Sequence, residues 1–237
     1  STLASALFNA ARSGDHDVLT GAYCRTVTRV VSFTGAEVVE GLRKAIPLAD
    51  TAKSRAQFTA ALGTLGSPEA LAFSKELAGS SDAAMAELMK PVLEKVTKQN
   101  EQAKALSSGD NLLDSSTAVV VSDTDDASYN KEMHYLTGWR SPQSRFAWDI
   151  LVSSPVTMEV EVHQSSVIKD HTFHLTIGHT SVEKDVTVTR TTDAFVPVKA
   201  GKFTLTKPGS WRVWLEPGRM SENQALMNIR KITLKVE

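Results

Sequence analysis

The stretch ALMNIRKITL (residues 225–234) carries a break in an otherwise regular strand pattern. Apolar side chains occupy positions 227 and 229 and then 232 and 234, so the alternation expected of a strand slips by one residue between Ile229 and Ile232. A β-bulge near Arg230 and Lys231 would return both apolar pairs to one face, because a bulge inserts one extra residue into a strand. We therefore expect a bulged closing strand with an apolar inner face.

Other segments with a period of two precede this strand. Apolar and polar residues alternate in RFAWDILV (residues 145–152) and VTMEVEV (156–162), and shorter segments of the same kind are TFHLTIG, DVTVTR, KFTLT and SWRVWLE. Turns rich in glycine and proline separate them, and no helical pattern intervenes. Seven or eight short strands of this kind predict an antiparallel β-sandwich over residues 117–237.

The first part of the chain follows the helical period instead. The clearest apolar stripe opens near Asp82 and consists of Met85, Leu88, Met89, Val92, Leu93 and Val96. Thr34 and Glu37 form a predicted capping box, in which each side chain binds a free backbone N–H at the start of a helix. Ser67 followed by Pro68 is a second start signal. These patterns predict several helices between residues 3 and 106.

The helices recur along the chain. Residues 34–39 and 66–71 lie 32 positions apart and have similar sequences, TGAEVV and GSPEAL. Together with Pro91 inside a helix, the stretch AALGTLGSPEALAFSKELAGSSDAAMAELMKPVLEKV resembles HEAT repeats over roughly residues 17–100. This resemblance implies a HEAT-like α-helical solenoid at residues 1–106, which would offer a surface to a protein partner or a neighbouring domain. A plain helical bundle is the alternative.

Composition excludes several classes of protein. The 237 residues are 41% hydrophobic and 22% charged, and no apolar run approaches the ~18 residues of a membrane span. A net charge of −1 offers no basic face for nucleic acid. Cys24 is the single cysteine, which excludes an intramolecular disulfide, and we expect it to be buried. The chain begins Ser-Thr-Leu-Ala, and we expect it to be a segment of a longer protein.

The segment SSGDNLLDSS (residues 107–116) is rich in turn residues and is predicted to link the two parts. The order of elements after it resembles the galactose-binding-like and carbohydrate-binding modules, which have a jelly-roll β-sandwich, attached to bacterial α-L-fucosidases and sulfatases. The resemblance rests on YLTGWRSP, on VKAGKFTLTKPGSWRVWLEP and on ALMNIRKITL. It implies a non-catalytic carbohydrate-binding or accessory segment of a larger secreted bacterial protein, in an extracytoplasmic compartment. A structural scaffold that binds no glycan is the alternative.

Carbohydrate recognition requires an aromatic surface for the C–H face of a sugar, with polar groups beside it for the hydroxyls. Trp214 projects opposite to Trp211 and on the same side as Arg212, while Trp139 either forms such a surface or closes one end of the sandwich. Trp148 and Trp211 are assigned to the core. The predicted ligand-binding residues are Tyr135, Trp139, Arg212, Trp214, Asn228 and Arg230.

The resemblance also bears on metal binding. Related modules that hold a structural calcium ion commonly have an aspartate where this chain has Arg230, whose guanidinium repels a cation. We therefore expect Arg230 to close the site through hydrogen bonds in place of calcium. His163 and His174 fall on the polar faces of consecutive strands and could face each other, but a zinc site needs three or four converging ligands. No cofactor is expected, and no catalytic motif appears.

Overall fold

The structure, a computed structural model, describes residues 16–29, 33–121, 127–221 and 224–237. The chain divides into two compact units, of which the first ends at Ala103 and the second begins at Lys104. The first unit is helical and the second consists of strands.

The described part of the first unit contains five α-helices, and all the predicted helix starts occur where expected. They are α1 (His16–Arg29), α2 (Gly35–Arg43), α3 (Ala52–Leu62), α4 (Pro68–Ala78) and α5 (Ala83–Gln102), with a 3₁₀ turn at Ile46–Leu48. The capping box at α2 is confirmed: Glu37 Oε2 accepts from the Thr34 N–H at 2.8 Å, and Thr34 Oγ1 accepts from the Glu37 N–H at 3.4 Å. Ser67 caps α4 and Asp82 caps α5.

The helices pack in two series. α1 contacts α3 and α3 contacts α5, while α2 contacts α4, and the hairpin of α4 and α5 adds a further interface. Phe58 of α3 meets Phe73 of α4 edge to face, with ring centroids 6.2 Å apart, and Cys24 is fully buried as expected.

The apolar stripe of α5 is narrower than predicted, because Leu88 remains 37% exposed. No helix of the described residues is long and apolar enough to cross a membrane.

The second unit is a sandwich of two sheets, as predicted. Its strands are β1 (Lys104–Ala105), β2 (Gly109–Asp114), β3 (Val119–Val121), β4 (Ser128–Asn130), β5 (Tyr135–Thr137), β6 (Arg145–Val152), β7 (Val156–Ser165), β8 (Thr172–Ile177), β9 (Thr180–Asp185), β10 (Val196–Leu205), β11 (Gly209–Pro217) and β12 (Asn228–Val236). The first sheet has the order β1-β6-β11-β8-β9, with β3 also beside β6. The second has the order β10-β7-β12-β5-β4, with β2 also beside β12. Pairing is antiparallel except for that of β1 with β6.

The core lies between the two sheets and follows the predicted alternation. β6 directs Phe146, Trp148 and Ile150 into it, and β11 directs Trp211 and Val213 into it. The assignment of Trp148 and Trp211 to the core is therefore confirmed.

The bulge predicted in the closing strand is also confirmed. Ile229 of β12 pairs with Gln164 of β7, and the next pair along the two strands is Lys231 with His163. Arg230 has no partner on β7 and is therefore the extra residue of the bulge. Ile229 and Ile232 are both fully buried in the core, whereas Arg230 is exposed.

Two local predictions were wrong. The segment predicted to be a linker contains β2, which pairs with β12 along its whole length, and Leu113 in it is 2% exposed. DVTVTR was predicted to be a strand, but the strand β9 ends at Asp185, where this segment begins. The residues that follow are bound across the end of the sandwich by side chains: Gln164 Nε2 donates to the carbonyl of Thr187 at 2.9 Å, and Thr189 Oγ1 donates to the carbonyl of Ser166 at 3.0 Å.

Candidate functional site

Three of the predicted ligand-binding residues meet at one end of the second sheet. Tyr135 is the first residue of β5 and Asn228 is the first residue of β12, and these strands are joined by the pair Leu136 and Ile229. The bulge turns Arg230 outward at the same end, because it interrupts the alternation that would direct this side chain into the core.

A residue that the sequence patterns did not single out, Phe195, completes the site. The Tyr135 and Phe195 rings lie 5.3 Å apart at an angle of 52°, and the guanidinium carbon of Arg230 lies 4.3 Å from the centroid of the Phe195 ring. Phe195 is half-buried and Tyr135 is 7% exposed. The result is a layered arrangement with the cation on the outside and the two aromatic rings beneath it.

Asn228 holds the segment that carries Phe195. Its Nδ2 donates to the carbonyl of Thr192 at 2.9 Å, and the Ser165 hydroxyl donates to the same carbonyl at 2.5 Å. Within the described residues, no hydrogen bond reaches Oδ1 of Asn228, so this oxygen remains an acceptor at the site. The side chain therefore both fixes the segment and offers a polar group.

Asp193 supplies a negative charge that interacts electrostatically with Arg230. The pKa of its carboxyl is lowered by a hydrogen bond from the Thr191 hydroxyl, by a bond from its own backbone N–H and by the charge of Arg230. Asp193 is therefore ionised at neutral pH, and the site has one cation and one anion. We call Tyr135, Asp193, Phe195, Asn228 and Arg230 the rim cluster.

The structure gives Arg230 an aromatic contact where a hydrogen-bond closure was expected. Arg230 stacks on Phe195, and no hydrogen bond from its guanidinium to another described residue is formed. Its N–H donors are therefore held in place by the ring while remaining open to a ligand. Within the described ranges, no group of three or more His, Cys, Asp or Glu side chains is arranged to hold a metal ion.

Trp139 does not form an exposed aromatic surface. Its side chain is 0% exposed, its indole N–H donates to the carbonyl of Ser144 at 2.9 Å, and its ring meets Phe146 edge to face at 4.6 Å. Its own carbonyl accepts from the N–H of Leu226 at 2.7 Å. Trp139 therefore closes the end of the sandwich just before β12, which is the second of the two roles considered for it.

Arg212 and Trp214 lie on the face of the first sheet that points away from the sandwich core, as their alternation indicated. Trp214 is only 1% exposed, so it offers no surface for a sugar ring. Arg212 binds Asp149 through two parallel hydrogen bonds of 2.9 and 2.7 Å, and its guanidinium carbon lies 5.3 Å from the Trp214 ring centroid. This buried bidentate pair has a structural role, and the two residues lie apart from the rim cluster.

The strand histidines do not converge either. His163 belongs to β7 in the second sheet, whereas His174 belongs to β8 in the first, so the two do not share a face. His171 is 1% exposed, and its Nε2 accepts from the N–H of Ser221 at 3.0 Å.

Comparison with known proteins gave one family match. The family model described as "Domain of unknown function (DUF5077)" matches residues 117–237, which cover most of the sandwich. A search of the curated proteins found no match.

Solved structures similar to this chain include two isolated carbohydrate-binding modules. The C-terminal CBM6 of a laminarinase from Zobellia galactanivorans has 15% identity and a TM-score of 0.43, and the comparison covers 53% of this chain and 98% of that one. A family 35 module from Clostridium thermocellum has 10% identity and a TM-score of 0.42, with coverage of 54% and 98%. A GH26-CBM35 β-(1,4)-mannanase from Podospora anserina has 16% identity and a TM-score of 0.42. The chain covers 28% of that mannanase.

Proposed function

The chain belongs to the family described as Domain of unknown function (DUF5077), and on this premise we propose that its sandwich is a non-catalytic carbohydrate-binding module whose ligand site is the rim cluster. The observation that supports the proposal most directly is the guanidinium of Arg230, which is held over the Phe195 ring.

The chemistry of the rim cluster suits the hydroxyl groups of a sugar. Arg230 offers donors in a planar fork, while Asp193 and the Oδ1 of Asn228 offer acceptors. Neighbouring hydroxyls on a sugar ring can each donate and accept, so they complement a site with both kinds of group. The half-buried ring of Phe195 provides apolar surface for the C–H groups of the same sugar.

We further propose that the helical unit is a short HEAT-like repeat that binds a protein partner or a neighbouring domain. The succession of contacts from α1 to α3 to α5, beside the contact of α2 with α4, supports this, since stacked repeats bring each helix against the equivalent helix of the next repeat. In this proposal the chain is part of a larger extracytoplasmic bacterial protein of the kind that carries fucosidase or sulfatase domains. In the alternative, both units form a scaffold without a glycan ligand, and the same helical contacts support that function equally.

Glycan-array binding by the whole chain distinguishes the two functions. We expect retention of at least one neutral or sulfated polysaccharide, with about tenfold or greater loss in Phe195→Ala and in Arg230→Ala, since removing a hydrogen-bonded or stacking partner costs about 1–3 kcal/mol. Circular dichroism verifies that both variants fold.

Arg43→Ala is the matched control. Its guanidinium carbon lies 4.4 Å from the centroid of the Phe73 ring, so it removes the same kind of cation–aromatic pair from the helical unit. Binding should be unchanged in this variant. An array on which the wild-type chain binds nothing would favour the scaffold.

A further inference from the structure

The end of the sandwich opposite the rim cluster contains a pocket of about 320 Å³. Strand β12 begins with Asn228 at the rim cluster and ends with Val236 in the lining of this pocket. The nine residues of β12 are separated by eight steps of about 3.3 Å, so its two ends lie roughly 26 Å apart. The pocket is thus a separate place on the same unit, and we call it the terminal pocket.

Two connections between the sheets form its walls. Residues 106–108 lead from β1 in the first sheet to β2 in the second, and residues 153–155 lead from β6 in the first sheet to β7 in the second. The last residues of β12 and Glu237 form the third side. The pocket therefore lies where the chain crosses from one sheet to the other.

The lining combines an apolar base with a polar wall. The apolar residues, which belong to the core or pack against it, are Leu106, Val152, Val156 and Val236. The hydroxyl-bearing residues are Ser107, Ser108, Ser153, Ser154 and Thr157. Within the part of the chain that the structure describes, the hydroxyls of Ser108, Ser153 and Ser154 bond no other residue. They are free to donate to a ligand and to accept from it.

The walls are held in place by hydrogen bonds outside the pocket. Asn111 is 1% exposed, and its Oδ1 accepts from the N–H of Ser107 at 3.0 Å while its Nδ2 donates to the carbonyl of Ser107 at 2.7 Å. The N–H of Leu106 donates to the carbonyl of Leu151 at 2.9 Å, and that of Glu237 donates to the carbonyl of Thr157 at 3.1 Å. The pocket is therefore preformed, which lowers the entropy lost on binding.

The one charged lining side chain is neutralised. Lys202 pairs with the carboxylate of Glu237, and this hydrogen bond raises the pKa of the lysine, which remains charged. The lining offers no further cation to hold an anionic ligand and no aromatic ring for a large planar one. The lining combines several hydroxyl groups with aliphatic side chains. The volume of the pocket, about 320 Å³, is at the lower limit for sites that bind small molecules.

We propose that the terminal pocket is a second ligand site, which takes a single neutral sugar ring or a polyol of similar size. The apolar base contacts the C–H face of the ring, and the serine hydroxyls bond its hydroxyl groups. The site is independent of the rim cluster, because the two share no residue.

NMR titration of the ¹⁵N-labelled chain tests this proposal with D-glucose, D-galactose, D-mannose and D-xylose, each up to roughly 100 mM because a Kd near 1 mM corresponds to only about −4 kcal/mol. We expect saturable shifts of the amides of Ser107, Ser153 and Ser154 with at least one sugar. Ser154→Trp, which fills the pocket, should abolish them, and the double variant Ser153→Ala with Ser154→Ala should weaken binding about tenfold without filling the space.

Two controls separate this site from the rim cluster. Ser181→Trp places the same bulk on an exposed position of β9 and should leave the shifts intact. Arg230→Ala should also leave them intact, whatever it does to glycan binding at the rim. Absence of saturable shifts with all four sugars, or their persistence in Ser154→Trp, would overturn the proposal.

Discussion

The guanidinium carbon of Arg230 lies 4.3 Å from the centroid of the Phe195 ring because of the bulge in β12. In a regular strand Arg230 would share the face of Ile232 and Leu234, and both of these are fully buried. The bulge allows Ile229 and Ile232 both to face the core and directs Arg230 to the surface. One irregularity of the backbone therefore serves the core and the rim cluster together.

Deletion of Thr233 should destabilise the sandwich far more than deletion of Arg230. Without Arg230 the strand no longer needs a bulge, because Ile229 and Ile232 are then two positions apart and both still face the core. Without Thr233 the buried Ile232 and Leu234 become neighbours that cannot both face the core, and the loss of one buried side chain costs about 2–5 kcal/mol. Urea denaturation of the two variants gives the comparison. Equal stabilities would contradict the role assigned to the bulge.

Trp139→Ala should lower the unfolding temperature of the sandwich, and not only weaken ligand binding. The substitution removes a fully buried ring, for which about 3–5 kcal/mol is expected. Trp139→Phe retains most of the packing but loses the hydrogen bond to Ser144, and its cost should be intermediate. Thermal denaturation followed by circular dichroism orders the three proteins. A Trp139→Ala protein as stable as the wild type would place this ring at the surface.

Arg212→Met should destabilise the sandwich by about 3 kcal/mol, because it removes the bidentate partner of the buried Asp149 carboxylate. The double variant Arg212→Met with Asp149→Leu should recover a large part of this loss, since it leaves no carboxylate to desolvate. The measurement is a double-mutant cycle from urea denaturation. Additive effects of the two substitutions would show that the pair contributes no coupling.

His163 should make the stability of the sandwich fall as the pH is lowered. Burial, and then the charge of Lys231, lower the pKa of His163 below its usual 6.5, while Glu161 acts in the opposite direction. Between this lowered value and 6.5 the unfolded chain binds more protons than the folded one, so the free energy of unfolding decreases on acidification through that window. Below the folded pKa the loss is complete, and above 6.5 it is absent.

Urea denaturation at a series of pH values measures this dependence. His163→Gln should remove this contribution to the slope. Lys231→Gln should reduce the contribution without removing it, because burial is the larger cause. An unchanged slope in His163→Gln would assign the acid sensitivity to other groups.

The parts of the fold that could be predicted from sequence are those set by local rules. The capping box at Thr34 depends on residues within one turn, and the bulge at Arg230 follows from the parity of buried side chains. β2 was missed because its two leucines, Leu112 and Leu113, are neighbours on opposite faces, among residues typical of turns. Leu113 is buried whereas Leu112 is 47% exposed, so the alternation is present but too short to recognise.

The candidate site was harder to predict for a different reason. Alternation placed Trp214 correctly on the face opposite to Trp211, but a period of two says nothing about what covers that face. Phe195 was missed because its position depends on hydrogen bonds from Asn228 and Ser165 to Thr192, which are distant in sequence. Long-range side-chain contacts of this kind leave no periodic signal.

The distribution of two residue types has a practical consequence for experiments. All four tryptophans (Trp139, Trp148, Trp211 and Trp214) belong to the sandwich, while the single cysteine, Cys24, is buried in the helical unit, and burial raises the pKa of its thiol to about 12. Indole fluorescence therefore monitors one unit and thiol labelling the other, with no engineered label. We expect the two signals to change at different urea concentrations, since each unit has its own core, and coincident transitions would show a single cooperative molecule.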